Sequence, residues 1–341
     1  MTTTEERPHF VSLGMFIIDE FEYLDEDATF PCYWLATRLT ICDVPIQIGG
    51  GGTYASIGAR IWLPAKNVGM IIDRGVDFPQ WIQERLDSYG PSMWLFRDHA
   101  DRVTTRALNS YRGDLRGFRY LVPRIRITPR DLAGTPLARP TTLHFICSPS
   151  RALEIISEVR EESDWNPITI YEPIPDRCVP EELPALRQVL PAVSILSPNA
   201  EEALALLSMP SDVSRSTVEE AALKFLEYGV GKDGEGSVII RSGALGAYVT
   251  NRHERGQWIP AFWSDNPEKV VDVTGAGNAF LGGLGAGLLL AKKNVYEAAL
   301  YATVSASFII EQEGLPRISS DRWNDDSPQR RLEHLQEKMR H

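Results

Sequence analysis

The sequence predicts an α/β fold, and three observations carry that prediction. Short apolar runs alternate with helix-length segments through most of the chain, which is the pattern of a mainly parallel sheet covered by helices on both faces. Each run is bounded by Gly, Pro, Asp or Ser. With 43% hydrophobic and 24% charged residues and eight Trp, the chain also has the material for a large buried core.

Taken in order, the strand expectations are 10–18, 68–72, 142–147, 168–171, 193–196, 237–240 and 247–250. Segments 151–161, 200–207 and 217–228 carry helical periodicity and are expected as crossovers. Two stretches, 21–48 and 102–127, instead alternate polar with aromatic or β-branched residues. That pattern suits exposed antiparallel strands in a small sheet over one edge. The uncharged, glycine-rich stretch 276–291 has sixteen residues, short of the roughly 20 that span a membrane, and is expected as a buried helix. After Pro316 the chain is strongly charged. There Ser327 followed by Pro328 reads as an N-cap with Pro at the first helical position, opening a peripheral helix to about residue 339.

At 341 residues the chain is long enough for two average domains or one large α/β domain. The net charge of -11, with no basic run beyond pairs such as Lys292-Lys293, disfavours nucleic acid as a partner. Cys32, Cys42, Cys147 and Cys178 lie far apart, without metal-ligand spacing, and are expected as reduced, mostly packed thiols. The polar, acidic start MTTTEERPHF matches neither a secretory signal nor an Arg-rich transit peptide, so a cytoplasmic location is expected, ahead of a nuclear one, with no membrane partner.

The chemistry concentrates in VVDVTGAGNAFLGGLGAGLLLA, a loop feeding a helix start. Gly275 and Gly277 let backbone N–H groups turn toward one point, where the helix dipole adds to them, and the result is a seat for a phosphate or developing oxyanion. Composition alone fits close helix packing equally well, and Gly282, Gly283, Gly285 and Gly287 serve that purpose. Upstream, Asn199 and Glu202 in SPNAEE follow an apolar strand as a helix entry with a capping box. Arg241, Gly243 and Gly246 in IIRSGALGA follow another strand as a tight turn. Near the N-terminus, IGGGGTYASIGAR is a glycine turn opening a helix.

Asp272-Val273-Thr274-Gly275-Ala276-Gly277-Asn278 resembles the D-T-x-G-A-G-D signature of the pfkB, or ribokinase-like, carbohydrate kinases. The N-x-x-E element, the strand-turn at Arg241 and the N-terminal glycine turn occur in that family's order. Segments TTRALN, FRYL and EPIPDRC are similar to a fungal, maintenance-of-killer-like subgroup. The resemblance spans about residues 10–317, so it implies one ribokinase-like domain over 1–317, a three-layer sandwich whose β-sheet lid comes from 21–48 and 102–127. Residues 318–341 are left as a charged helical tail. It also implies ATP and Mg2+ as cofactors, with Asn199, Arg241, Gly243, Gly246, Asp272 and Thr274 on the nucleotide side and Glu202 ordering the metal and its waters. Gly275, Ala276 and Gly277 would stabilise the transferring phosphoryl group. Asp19, Gly49, Gly50, Gly51 and Thr53 would hold an alcohol acceptor such as a sugar or nucleoside, and a lid edge of this kind often pairs with a second copy.

The chain departs from the pattern at the last signature position, where Asn278 replaces the Asp that accepts the hydroxyl proton. An amide cannot take that proton, although its oxygen can orient the hydroxyl. Phosphoryl transfer with Asn278 positioning the acceptor is therefore one expectation. A nucleotide- or metabolite-binding pseudokinase working through a protein partner is the second, and a nucleotide-independent protein on the same scaffold is a third.

Overall fold

Alternation along the strands sorts side chains onto two faces, and the architecture follows from that. The computed structural model describes residues 7–23, 46–112 and 115–340. In chain order the strands of the two larger sheets are β1 (Phe10–Ser12), β2 (Ile17–Tyr23), β3 (Ile46–Gly49), β4 (Val68–Arg74), β5 (Trp94–Asp98), β6 (Arg106–Arg112), β7 (Leu115–Tyr120), β8 (Thr142–Cys147), β9 (Ile168–Pro173), β10 (Ile195–Leu196), β11 (Ser237–Arg241), β12 (Ala247–Asn251) and β13 (Gln257–Ile259). The helices are α1 (Gly51–Arg60), α2 (Gln80–Asp87), α3 (Pro149–Glu161), α4 (Leu183–Val189), α5 (Ala200–Leu206), α6 (Arg215–Glu227), α7 (Ala276–Leu290), α8 (Val295–Ile309) and α9 (Pro328–Arg340).

Nine strands form the central sheet in the order β13-β12-β11-β10-β9-β8-β1-β4-β5. Every neighbour pair from β11 to β5 is parallel, and β12 and β13 run antiparallel at one edge. Phe10, Met70, Ile72, Ile170 and Ile239 point to the face covered by α1, α7, α8 and α9. Their neighbours Val11, Ile71, Tyr171, Val238 and Ile240 point to the face covered by α3 to α6. Each such side chain, taken fully out of water, contributes about 1.5–3 kcal/mol before entropy. The expected α/β sandwich with a mainly parallel sheet is what forms. Among the described residues no helix is long and apolar enough to cross a membrane.

The expected first strand, 10–18, is two strands in two sheets. β1 ends at Ser12 because the chain then crosses the N-terminus of α1 so closely that a Cβ at Gly14 would overlap the backbone of Gly52. Ile17 begins β2 in a second sheet of order β3-β2-β6-β7. That sheet is the expected lid, with one difference: β2 and β6 pair in parallel, while the flanking pairs are antiparallel. Residues 24–45 of the lid expectation, Cys32 and Cys42 among them, lie outside the described residues; Cys147 and Cys178 are free, buried thiols. Arg106 on β6 pairs within the lid with Glu20 of β2 at 2.9 Å and fastens the lid to the body through Asp77 at 2.7 Å.

Strands β5 and β13 and helices α2, α4 and α8 were not expected. Helix α8 is buried nearly all round, so it shows no amphipathic stripe to read. The tail helix α9 is less peripheral than its charge suggests. Leu332 and Leu335 join the core beneath α8, and Arg331 lies 3.7 Å from the Phe308 ring centroid with ion pairs to Glu311 and Asp326.

Candidate functional site

Leu13 and Gly14 after β1, Phe145 to Ser148 at the end of β8, and Glu172 and Ile174 at the end of β9 line one cavity of about 660 Å³. These are carboxyl ends of parallel strands, where α/β sheets bind ligands. The lid residues Asp19, Phe118 and Tyr120 contribute to its wall, as do Gly50, Gly51 and Tyr54 from the start of α1. Thr274, Gly275 and Asn278 come from the start of α7.

Gly275 is the N-cap of α7 at φ 78°, in the left-handed region, and a Cβ there would also run into the Tyr54 ring. No side chain caps α7 and no acid occupies its first turn. The Ala276 amide donates to the Val273 carbonyl at 3.2 Å, which leaves the leading amides after it and the positive end of a 15-residue helix available to an anion. Asp272 Oδ1 accepts from the Thr274 amide at 2.9 Å and braces the turn. Close packing operates on the same helix: a Cβ at Gly282 would overlap the Ala55 carbonyl. The packing reading of this segment thus holds at Gly282.

Behind the turn lies a buried charged network. Asn278 Nδ2 donates to Glu172 Oε2 at 2.8 Å, and Arg241 Nη2 lies 2.8 Å from Glu172 Oε1. Burial alone would raise the Glu172 carboxyl, but Arg241, His144 and Asn278 together outweigh it and hold the group below the usual carboxylate range. His144 Nε2 is 3.5 Å from Glu172, and its Nδ1 lies 3.0 Å from Ser12 Oγ, which itself accepts from the Gly14 amide. Arg241 also donates to the Ser197 carbonyl at 3.1 Å and approaches Glu202 only to 3.7 Å. Glu202 is accordingly less compensated, and burial pushes its carboxyl up to about 7. Asn199 and Glu202 form a reciprocal capping box at 2.8 and 2.7 Å.

The sequence-chosen residues therefore divide into two groups. Asp19, Gly50, Gly51, Thr274, Gly275 and Asn278 line the cavity. Asn199, Glu202, Arg241 and Gly277 gather outside it, and a Cβ at Gly277 would overlap the Arg241 guanidinium. Gly243 and Gly246 form the expected tight turn after β11, with Gly243 open to solvent space and Gly246 against the Ile259 carbonyl. Gly49 lies against the Asp19 carboxylate. Thr53 is fully buried and spends its hydroxyl on the Gly49 carbonyl at 2.9 Å, so it does not reach the cavity. Glu172 and His144 were missed as site residues. The available signal was an acid and a histidine in otherwise apolar strands, Glu172 toward the carboxyl end of its own.

Residues 148–321 match the family model described as pfkB family carbohydrate kinase. Protein MAK32 of Saccharomyces cerevisiae is 34% identical over 346 residues, covering 94% of this chain and 90% of the relative. An uncharacterized protein of Schizosaccharomyces pombe is 33% identical over 354 residues, covering 96% and 92%. Among solved structures, the Arabidopsis thaliana ribokinase complexed with ribose and ATP superposes with a TM-score of 0.65 at 17% identity, covering 96% of this chain and 98% of that one.

Proposed function

Because the chain belongs to the pfkB family of carbohydrate kinases, we propose that its site transfers the γ-phosphoryl group of ATP to an alcohol of a small molecule, a sugar, nucleoside or related compound. Asn278 orients the hydroxyl and Glu172 receives its proton. The observation that carries this reading is the 2.8 Å hydrogen bond from Asn278 Nδ2 to Glu172 Oε2 in the wall of the cavity. Replacing the customary Asp with Asn278 has not emptied the site of negative charge. The bond commits the amide nitrogen to Glu172 and leaves Oδ1 as the atom that accepts from a bound hydroxyl.

In the transfer, the hydroxyl proton passes to Glu172, its oxygen bonds the γ-phosphorus, and the bond from that phosphorus to the β–γ bridging oxygen breaks, leaving ADP. The Gly275 and Gly277 amides and the α7 dipole stabilise the charge on the moving group. Arg241 keeps Glu172 ionised beforehand. Closure of the lid, which carries Asp19, over the cavity excludes water.

Mg2+ fits the nucleotide side because Glu202 is a buried carboxylate with too little positive charge beside it. Among the described residues no cluster of three His, Cys, Asp or Glu could hold a metal, so Glu202 is the residue that would serve the cation there. When bound, it would neutralise polyphosphate charge; the capping box with Asn199 fixes the Glu202 side chain.

The test is a screen of alcohol acceptors with Mg-ATP, read by mass spectrometry of the phosphorylated product, alongside calorimetry of ADP binding. An acceptor-dependent product supports transfer. Saturable ADP binding without any product favours a pseudokinase, the reading motivated by the amide at position 278. Absence of nucleotide binding rejects both.

A further inference from the structure

In a chain of net charge -11, the wall of the acceptor cavity is rich in arginine: Arg124, Arg126, Arg151 and Arg177 all line it. The acids there do not balance them. Glu172 is already held by Arg241, which leaves Asp19 and Asp176. Arg177 has its own partner in Glu182 at 3.4 Å. Arg124 lies 4.4 Å from the Tyr120 ring centroid, and neither it nor Arg126 has an ion-pair partner among the described residues.

Arg151 is the most telling of the four. It stands in the first turn of α3, whose N-cap is Ser148, so the helix dipole adds to its charge. Its Nη1 pairs with Glu154 at 2.8 Å, while Nη2 is buried with no hydrogen-bond partner among the described residues. A buried guanidinium donor left open is costly unless a ligand completes it. Arg126 and Arg151 line the same cavity as Cys147 at the end of β8.

We propose that the acceptor carries an anionic group, a phosphomonoester or a carboxylate, held by Arg151 and Arg126 and flanked by Arg124 from the lid side, while its reacting hydroxyl lies against Asn278. The planar guanidinium of Arg151 suits either oxyanion through paired N–H donors. Tyr120, beneath Arg124, gives the sugar or polyol body an aromatic surface. This assignment rests on the transfer reading for the role of the hydroxyl, but the anion subsite itself does not.

The experiment is calorimetry of the full chain with ribose 5-phosphate, gluconate, ribose and inorganic phosphate as probes, each also titrated into Arg151→Ala, Arg151→Lys and the more exposed Arg126→Ala. At least one of the three anions should bind about 10-fold or more tightly than ribose, and a phosphate preference over gluconate or the reverse identifies the oxyanion. Arg151→Ala and Arg126→Ala should each weaken that probe about 10-fold, with Arg151→Lys between wild type and Ala. Should Arg151→Ala fail to fold, Arg126→Ala decides. Equal binding of ribose and the anions, no anion binding by protein that binds ADP, or unchanged affinity in the Ala variants overturns the proposal. ADP formation is followed in parallel with the same probes. Anion binding without ADP keeps the subsite and removes the transfer reading; ADP formed only with ribose keeps transfer and removes the subsite.

Discussion

Restoring the family's carboxylate, by Asn278→Asp, should harm this protein rather than improve it. The new side chain would set a second carboxylate where an amide now donates to Glu172 across 2.8 Å. At that separation, and at the effective dielectric that describes most protein sites, two unit charges repel by about 6 kcal/mol. The cheaper escape is to protonate one of the pair, which at pH 7 costs about 4 kcal/mol for a carboxyl that ordinarily titrates near 4. The sign follows from linkage: the folded value of the pair is raised, so the loss is absent below the ordinary carboxylate value and grows as pH rises toward the raised one. Urea unfolding should therefore show little difference from wild type near pH 4.5 and a deficit of about 5 kcal/mol near pH 7.5. Adding Glu172→Gln to Asn278→Asp should recover most of that deficit, because the pair then has one charge again. An Asn278→Asp protein as stable as wild type at both pH values would refute the geometry on which this reasoning rests.

Glu202, pushed up to about 7 by burial, behaves in the same sense in the metal-free protein. Its contribution is intact below the unfolded value and is lost as pH rises through about 7, a difference worth about 3 kcal/mol. Glu202→Gln in chelator should accordingly raise the urea midpoint at pH 8 and leave it unchanged near pH 4.5; equal effects at both would contradict the shift. Gly277→Val drives a side chain into Arg241, so ADP affinity by calorimetry should fall about 10-fold or more while far-ultraviolet circular dichroism is retained. Leu335→Ala empties a buried position of the tail helix and should cost about 2–5 kcal/mol by urea unfolding, whereas a loosely attached tail would show almost none.

Much of this architecture is legible before folding, for physical reasons that can be named. Apolar runs such as 142–147 and 237–240 are buried on both faces, so their composition alone marks them as strands. The glycine turn at 275–277 is readable because few other sequences permit a left-handed cap against an aromatic ring. What escaped notice depends on contacts distant in sequence. Glu172 and Asn278 lie 106 residues apart, and only the sheet order that places β9 beside the start of α7 joins them. The break at Gly14 depends on the backbone of Gly52, which no local pattern records. Thr53 illustrates the converse: its neighbourhood suggested the acceptor, but helix α1 turns its hydroxyl inward to Gly49.

The central claim is that Glu172 performs the proton transfer that Asn278 cannot. Single-turnover transfer from Mg-ATP, measured for wild type and Glu172→Gln with an acceptor that wild type phosphorylates, tests it most directly. The account predicts that Glu172→Gln slows the chemical step by about 10²- to 10⁴-fold while ADP binding stays within a few-fold of wild type. A Glu172→Gln protein that transfers at the wild-type rate would contradict it.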